Sequence, residues 1–268
     1  MTHTTLHSVH PPSHRTTRWS LSLLLVAALS ACGGGSSGST EGPAGPTATR
    51  LASCGQKEGP LKIMPMGDSI TEGEAGHNSY RRALWQRLQG AGCNVDLVGS
   101  KSGVSRGFRD SGSTTPLNPD FDQNHEGYWS YRADEILSFA TNRVASAQPD
   151  VVLLHAGTND ILQGQGAEST AAELSSLIDA IRAGKSDVRI VLAKLIPASP
   201  NPGGIAALNQ LIDGIASQQN KAGASVVVVD QSSGFSVGNT YDGIHPSATG
   251  EVLMGNKWAE AILAWRSN

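Results

Sequence analysis

Residues 151–155 read Val-Val-Leu-Leu-His, an unbroken apolar run introduced by Pro149-Asp150 and followed by Gly157. A strand that is apolar on both faces needs cover on both, which argues against an open sheet with one wet side. The rest of the chain can supply that cover. Strand-like stretches at 61–66, 95–98, 151–155, 189–195 and 225–229 alternate with segments whose apolar residues recur at helical spacing. Tyr80, Leu84 and Leu88 share one face of a helix over 79–90, which Gly90 and Gly92 stop. Leu174, Leu177, Ile178 and Ile181 share a face over 168–183, and further helices are expected over 131–147, 203–217 and 248–265. This alternation predicts the α/β class, with a five-stranded parallel sheet between two helical layers. Ligands on such a sheet lie beyond the carboxyl ends of its strands. Polar residues of one site should therefore cluster there.

They do. Gly67-Asp68-Ser69-Ile70 follows the first strand, Gly99 the second and Gly157-Thr158-Asn159-Asp160 the third, while Asp242-Gly243-Ile244-His245-Pro246 lies beyond the fifth. Singly, these segments read as turns or helix caps. On one rim they form a set that resembles the four blocks of the SGNH, or GDSL-like, hydrolase superfamily. The resemblance spans about 61–265. It implies a flavodoxin-like three-layer α/β/α sandwich and the hydrolysis of acyl esters.

The residue types suit that chemistry. A serine hydroxyl is a weak nucleophile near neutral pH and needs a base within hydrogen-bond reach. Beyond residue 31 the histidines are His77, His125, His155 and His245, and only His245 stands in an Asp-x-x-His arrangement. Ser69 is thus expected as nucleophile, His245 as base, and Asp242 as the group that fixes the tautomer and stabilises the imidazolium. The backbone N–H groups of Ser69 and Gly99 and the amide of Asn159 would form the oxyanion hole. His155 reads as a buried, hydrogen-bonded residue and His77 as exposed loop. No histidine pair has ligand spacing and no Cys-x-x-Cys occurs, so neither a metal nor a cofactor is expected.

A narrower resemblance concerns the substrate. KIMPMGDSITEG, SYRRALWQRL, VDLVGS, DQNHEGYWSYRADEI, PDVVLLHAGTND and DGIHPSATG are similar to carbohydrate esterase family three, which includes acetyl xylan esterases. This implies an acetylated carbohydrate, or another small acyl ester, as the partner. A long polar loop over 101–127 is of a kind that carries function. Asp68, His125, Tyr128 and Trp129 are candidate substrate contacts, with Tyr128 or Trp129 either stacking on a sugar ring or packing under the loop. The stretch after Gly127, Tyr-Trp-Ser-Tyr, departs from the more glycine-rich run of that family. A lipase or lysophospholipase of the same superfamily, and a non-catalytic glycan-binding lipoprotein, are the alternatives.

The N-terminus carries a targeting pattern. Arg15 and Arg18 precede the apolar stretch WSLSLLLVAAL, too short for a comfortable membrane span, and Leu29-Ser30-Ala31-Cys32 resembles the bacterial lipobox. The expected organisation is a signal peptide over 1–31, a lipidated Cys32 with a Gly/Ser/Pro tether to residue 50, and the hydrolase domain over 51–268. The alternative is an ordinary secretory signal. Either places the domain in the bacterial cell envelope or outside it, with the membrane as a partner if Cys32 carries lipid. Cys54 and Cys93 then remain as a candidate disulfide in an oxidising compartment. The formal charge of -3 argues against a nucleic-acid partner.

Overall fold

The computed structural model describes residues 59–266. β1 (Leu61–Gly67) leads into the one-turn helix α1 (Ser69–Glu72), followed by α2 (Tyr80–Gly90) and β2 (Val95–Leu97). Four short strands come next: β3 (Lys101–Ser102), β4 (Val104–Ser105), β5 (Ser113–Thr114) and β6 (Asn124–Gly127). Then α3 (Ala133–Ala147), β7 (Val151–His155), α4 (Thr158–Leu162), α5 (Ala167–Gly184), β8 (Arg189–Lys194) and α6 (Pro202–Gln219) alternate. β9 (Val226–Asp230), a 3₁₀ turn at Val237–Asn239 and α7 (Ala248–Arg266) complete the domain. The signal-like segment over 1–31, Cys32, the tether and Cys54 lie outside the described residues. Cys93 is buried and disulfide-bonded; its expected pairing with Cys54 falls on a residue outside the description.

The five expected strands run parallel, in the spatial order β2-β1-β7-β8-β9. β7 is buried at every position, as its unbroken apolar run requires. Alternation along the strands sorts their side chains between two layers. Met64, Met66, Val152, Leu154, Ile190 and Leu192 meet α3, α5 and α6 on one face. Ile63, Leu153, Val191 and Val229 meet α2 and α7 on the other, where Trp258, Leu84 and Ile262 are fully buried. Burying each such side chain stabilises the fold by about 1.5–3 kcal/mol relative to exposure.

The sheet is larger than the sequence suggests. Asn124–Gly127, expected within the 101–127 loop, forms β6, which pairs parallel with β1 through Met66↔Glu126 and Gly67↔Gly127. β3 adds antiparallel to β6, giving seven strands. β2 and β6 share one edge of β1: Ile63 pairs with Leu97 and Val151, and Met66 with Glu126 and Leu154. The reason β6 escapes an apolar pattern is that its buried side chains are polar, with Glu126 and His125 Nδ1 hydrogen-bonded. Glu126 accepts from the Ser100 N–H and from the hydroxyls of Ser100 and Tyr128. β4 and β5 form a separate two-stranded ladder in the same region.

β1 ends and α1 begins across Asp68. Its Oδ1 accepts from the Ile70 N–H at 3.0 Å, the N-cap arrangement that satisfies one of the orphan donors of a helix start. Asp68 has no exposed surface, which corrects its expected role as a substrate contact. Burial pushes its carboxyl from 3.8 up to about 7; the bond from Ile70 opposes the rise and the charge of Asp160 adds to it. A carboxyl raised in the folded state contributes fully below its unfolded value, and the contribution is lost as pH rises through the folded one. Asp68→Asn keeps an oxygen for Ile70 but does not titrate. The variant is therefore expected to gain stability relative to wild type, by on the order of a few kcal/mol, between about pH 4 and pH 7.5. Urea unfolding of both proteins across that range measures it; a difference that stays constant with pH would contradict it.

Candidate active site

Ser69 occupies the first position of α1, two residues past the end of β1. The turn is tight because Gly67 lies against β7: a Cβ there would meet the His155 carbonyl oxygen at 2.0 Å. Ser69 is 6% exposed, so its hydroxyl faces a narrow opening rather than open solvent. Its Oγ lies 2.8 Å from His245 Nε2. On the other side of the ring, His245 Nδ1 lies 2.6 Å from Asp242 Oδ2.

Asp242 and His245 come from one short turn beyond β9. Asp242 Oδ1 accepts from the N–H groups of Ile244 at 2.9 Å and His245 at 2.7 Å. Burial raises the Asp242 carboxyl, but the His245 ring and these two N–H groups outweigh burial and hold it below its ordinary value. It is therefore ionised at neutral pH and available to the Nδ1–H. A hydroxyl, an imidazole and a carboxylate in this order can move a proton off the hydroxyl and hold the resulting imidazolium.

The other expected residues lie on the same rim. Gly99 follows β2 and passes so close to β6 that a Cβ would meet the His125 carbonyl oxygen at 2.2 Å. Any side chain would displace the backbone there. Asn159 is the second residue of the helix after β7, and its amide Nδ2 donates to the Tyr131 carbonyl at 3.0 Å. Neither the Ser69 nor the Gly99 N–H meets an acceptor among the described residues. Asp160, beside Asn159, accepts from the Ala133 N–H and so caps α3. Burial raises Asp160 to about 7. Its carboxylate stands with those of Asp134 and Glu173, where a retained proton relieves like-charge repulsion.

Three expectations are corrected. His125 is fully buried and its Nδ1 accepts from the Gly127 N–H at 2.9 Å, so it is no substrate contact. Burial holds its ring well below the ordinary histidine value, with the charges of Arg81 and Lys101 adding to this. His77 is not free loop: its ring stacks on Tyr241 at 4.2 Å. His155 is buried and kept neutral, burial lowering it to about 4, but neither ring nitrogen has a hydrogen-bond partner among the described residues.

The two aromatic candidates have different surroundings. Tyr128 packs on Tyr131 and Phe139, with Lys101 Nζ 4.7 Å from its ring centre. Burial, with the Glu126 carboxylate, pushes its hydroxyl up to about 12. Trp129 lies on the His245 ring, centroids 4.5 Å apart and planes 16° from parallel. Glu72, Tyr241 and Glu251 also belong to the site, and sequence reasoning passed over them. Ile70, Glu74, His77, Tyr241 and Glu251 line a small depression beside Ser69 and His245. The position of Tyr241, directly before Asp242, was the one available signal.

Residues 66–253 match the model of the GDSL-like Lipase/Acylhydrolase family. The chain is 34% identical over 242 residues to a multidomain esterase of Ruminococcus flavefaciens, covering 81% of this chain and 30% of that protein. It is 34% identical over 127 residues to a putative endoglucanase X of Acetivibrio thermocellus, covering 46% of this chain and 54% of that one. It thus spans only part of the length of either relative. Among solved structures it is similar to a family 3 carbohydrate esterase of Clostridium thermocellum, with a TM-score of 0.65 and 33% identity over 78% of this chain and 99% of that one. A carbohydrate esterase family 3 structure from Talaromyces cellulolyticus gives a TM-score of 0.67 and 29% identity over 77% and 98%. The family match runs from the strand before Ser69 into α7, across every block that contributes to the rim, and the chain belongs to the GDSL-like lipase/acylhydrolase family, with carbohydrate esterases of family 3 among its structural relatives.

Proposed function

We propose that this chain is a serine esterase that removes small acyl groups, acetyl foremost, from carbohydrate esters. The observation that carries the reading is the unbroken chain of contacts from Ser69 Oγ to His245 at 2.8 Å and from His245 to Asp242 at 2.6 Å. In this reading His245 Nε2 takes the Ser69 proton as Oγ attacks the ester carbonyl carbon. Asp242 holds the imidazolium. The N–H groups of Ser69 and Gly99 and the amide of Asn159 receive the oxyanion, donors worth most in a site from which water is excluded. His245 then returns its proton to the departing sugar oxygen, leaving an acyl-enzyme. Water, activated by the same imidazole, releases the acid and restores Ser69.

Two observations support a small acyl group. The depression beside Ser69 is small, and Glu74, His77 and Glu251 contribute to its walls. An acyl chain gains about 0.8 kcal/mol per methylene only against apolar surface, and the apolar surface here, from Ile70, Tyr241 and Pro246, is confined to that small depression. The family 3 carbohydrate esterase structures support a carbohydrate as the alcohol component.

Ser69→Ala is expected to keep its circular dichroism and to lose at least about 10⁴-fold in hydrolysis of p-nitrophenyl acetate. A folded variant with wild-type rates would overturn the reading. For wild type, kcat/KM is expected to fall from acetate to butyrate to octanoate esters below their solubility limits. A steady climb to octanoate would favour the lipase alternative.

A further inference from the structure

The expected base sits on a turn that meets the layers around the sheet at few points, with Ile244 against the core and the Gly243 carbonyl accepting from the Ser199 N–H at 2.7 Å. Most of the turn's hydrogen bonds are local: Tyr241 N–H donates to the His245 carbonyl at 3.0 Å, Thr240 bridges Pro246 and accepts from the Gly243 N–H, and Asp242 accepts from the N–H groups of Ile244 and His245. Such a turn can keep its own geometry and still shift as a body relative to Ser69. A displacement of about 1 Å between reacting groups costs on the order of a hundredfold in rate. Some contact must therefore tie the turn to the nucleophile's own element.

We infer that Trp129 is that contact, a positioning residue that sets the His245 ring against Ser69. The inference rests on the reading of His245 as the base. The indole lies nearly parallel to the imidazole, 16° apart with centroids at 4.5 Å, within the range of favourable ring stacking. Trp129 is itself tied to the nucleophile's helix. Its backbone N–H donates to Glu72 Oε2 at 2.6 Å, and Glu72 is the last residue of the one-turn helix that Ser69 begins. The other Glu72 oxygen pairs with Lys101, and the carboxylate is nearly inaccessible to solvent. The contacts close a circuit: Ser69 to His245 to Trp129 to Glu72 and back along α1 to Ser69. Tyr241 adds a second ring at 5.7 Å and 17° from His245, tethered through its hydroxyl to Glu74. An imidazole in this circuit is limited in both rotation and translation while its two nitrogens remain free for Ser69 and Asp242.

A sugar-stacking role for Trp129 makes a different forecast, because p-nitrophenyl acetate contains no sugar. The test compares wild type, Ser69→Ala, Trp129→Leu and Trp129→Phe on that ester, with circular dichroism as the folding control. Leucine keeps apolar bulk without a plane; phenylalanine restores a plane. Trp129→Leu is expected to lower kcat about tenfold to a hundredfold with KM within about twofold, and Trp129→Phe to recover most of the loss. The downfield proton NMR signal of the His245 Nδ1–H is expected in wild type and Trp129→Phe and to broaden or vanish in Trp129→Leu. An unchanged kcat in folded Trp129→Leu, or a raised KM with kcat intact, would overturn the inference while leaving the esterase reading in place. Wild-type activity in Ser69→Ala would instead remove the reading on which it rests.

Discussion

A guanidinium with no exposed surface holds the rim together. Arg81, on the first turn of α2, donates from Nε to the Thr71 carbonyl at 3.0 Å and from Nη2 to the Glu72 carbonyl at 2.9 Å. The same side chain reaches the carbonyls of Gly103 and Gln123. One planar fork thus closes the C-terminal end of the helix that begins at Ser69 and pins two points of the long loop that leads to β6. Among the described residues no carboxylate takes up the fork directly. Burial lowers the guanidinium to about 10, so it remains charged at neutral pH, and its charge is spread over four carbonyl dipoles instead. Buried carbonyl groups left without such a donor would each cost about 1–3 kcal/mol. A lysine there would keep the charge but not the fixed fork geometry.

The rest of the rim uses the opposite charge for a similar purpose. Glu251 accepts from the N–H groups of Asn78 and Ser79, the latter at 2.8 Å. Ser79 has φ of 60°, a conformation that needs restraint in a residue with a side chain. Asp122 accepts from Leu97 and Asn124, Glu126 from Ser100, Glu72 from Trp129 and Asp160 from Ala133. Each carboxylate takes a backbone donor that no ladder or helix satisfies, and such charge-assisted bonds are stronger than neutral ones. Burial raises the carboxyls of Glu72, Asp122 and Glu251, the last to about 7, even though these bonds oppose it. Irregular loops around Ser69 gain order this way through backbone donors rather than through a core of their own.

This device also decides what the sequence could reveal. The five expected strands were legible because their burial is apolar and periodic, as in Val151–His155. The convergence of Ser69, Asp242 and His245 was legible because a hydroxyl, an imidazole and a carboxylate placed to exchange a proton admit few residue types. β6 was not legible: its buried residues, His125, Glu126 and Gly127, carry polar side chains or none, with Glu126 and His125 Nδ1 hydrogen-bonded, and hydropathy has no sign for polar groups buried in this way. The circuit through Glu72 and Trp129 was hidden for another reason. Its members are 57 residues apart, and nothing local to either one marks the pairing. Asp68 and His125 look like site residues because they flank the chemistry in sequence. The fold places both beneath it, with no exposed surface.

The two halves of the constellation are therefore built by different physics. Ser69, Gly99 and Asn159 follow consecutive sheet positions, and close backbone packing of Gly67 on β7 and of Gly99 on β6 leaves them little freedom. Asp242 and His245 owe their mutual geometry to a short turn whose hydrogen bonds are local. The rest of the domain constrains that turn through a few contacts: Ile244 against the core, the Ser199 N–H on the Gly243 carbonyl at 2.7 Å, the Tyr241 hydroxyl on Glu74, and the Trp129 ring on His245. Of these, the Trp129 ring bears directly on the imidazole, and it is the one whose backbone is bonded to the helix that carries Ser69. A flat contact suits that place better than another hydrogen bond, because both nitrogens of His245 already have partners and only the faces of the ring remain to be held.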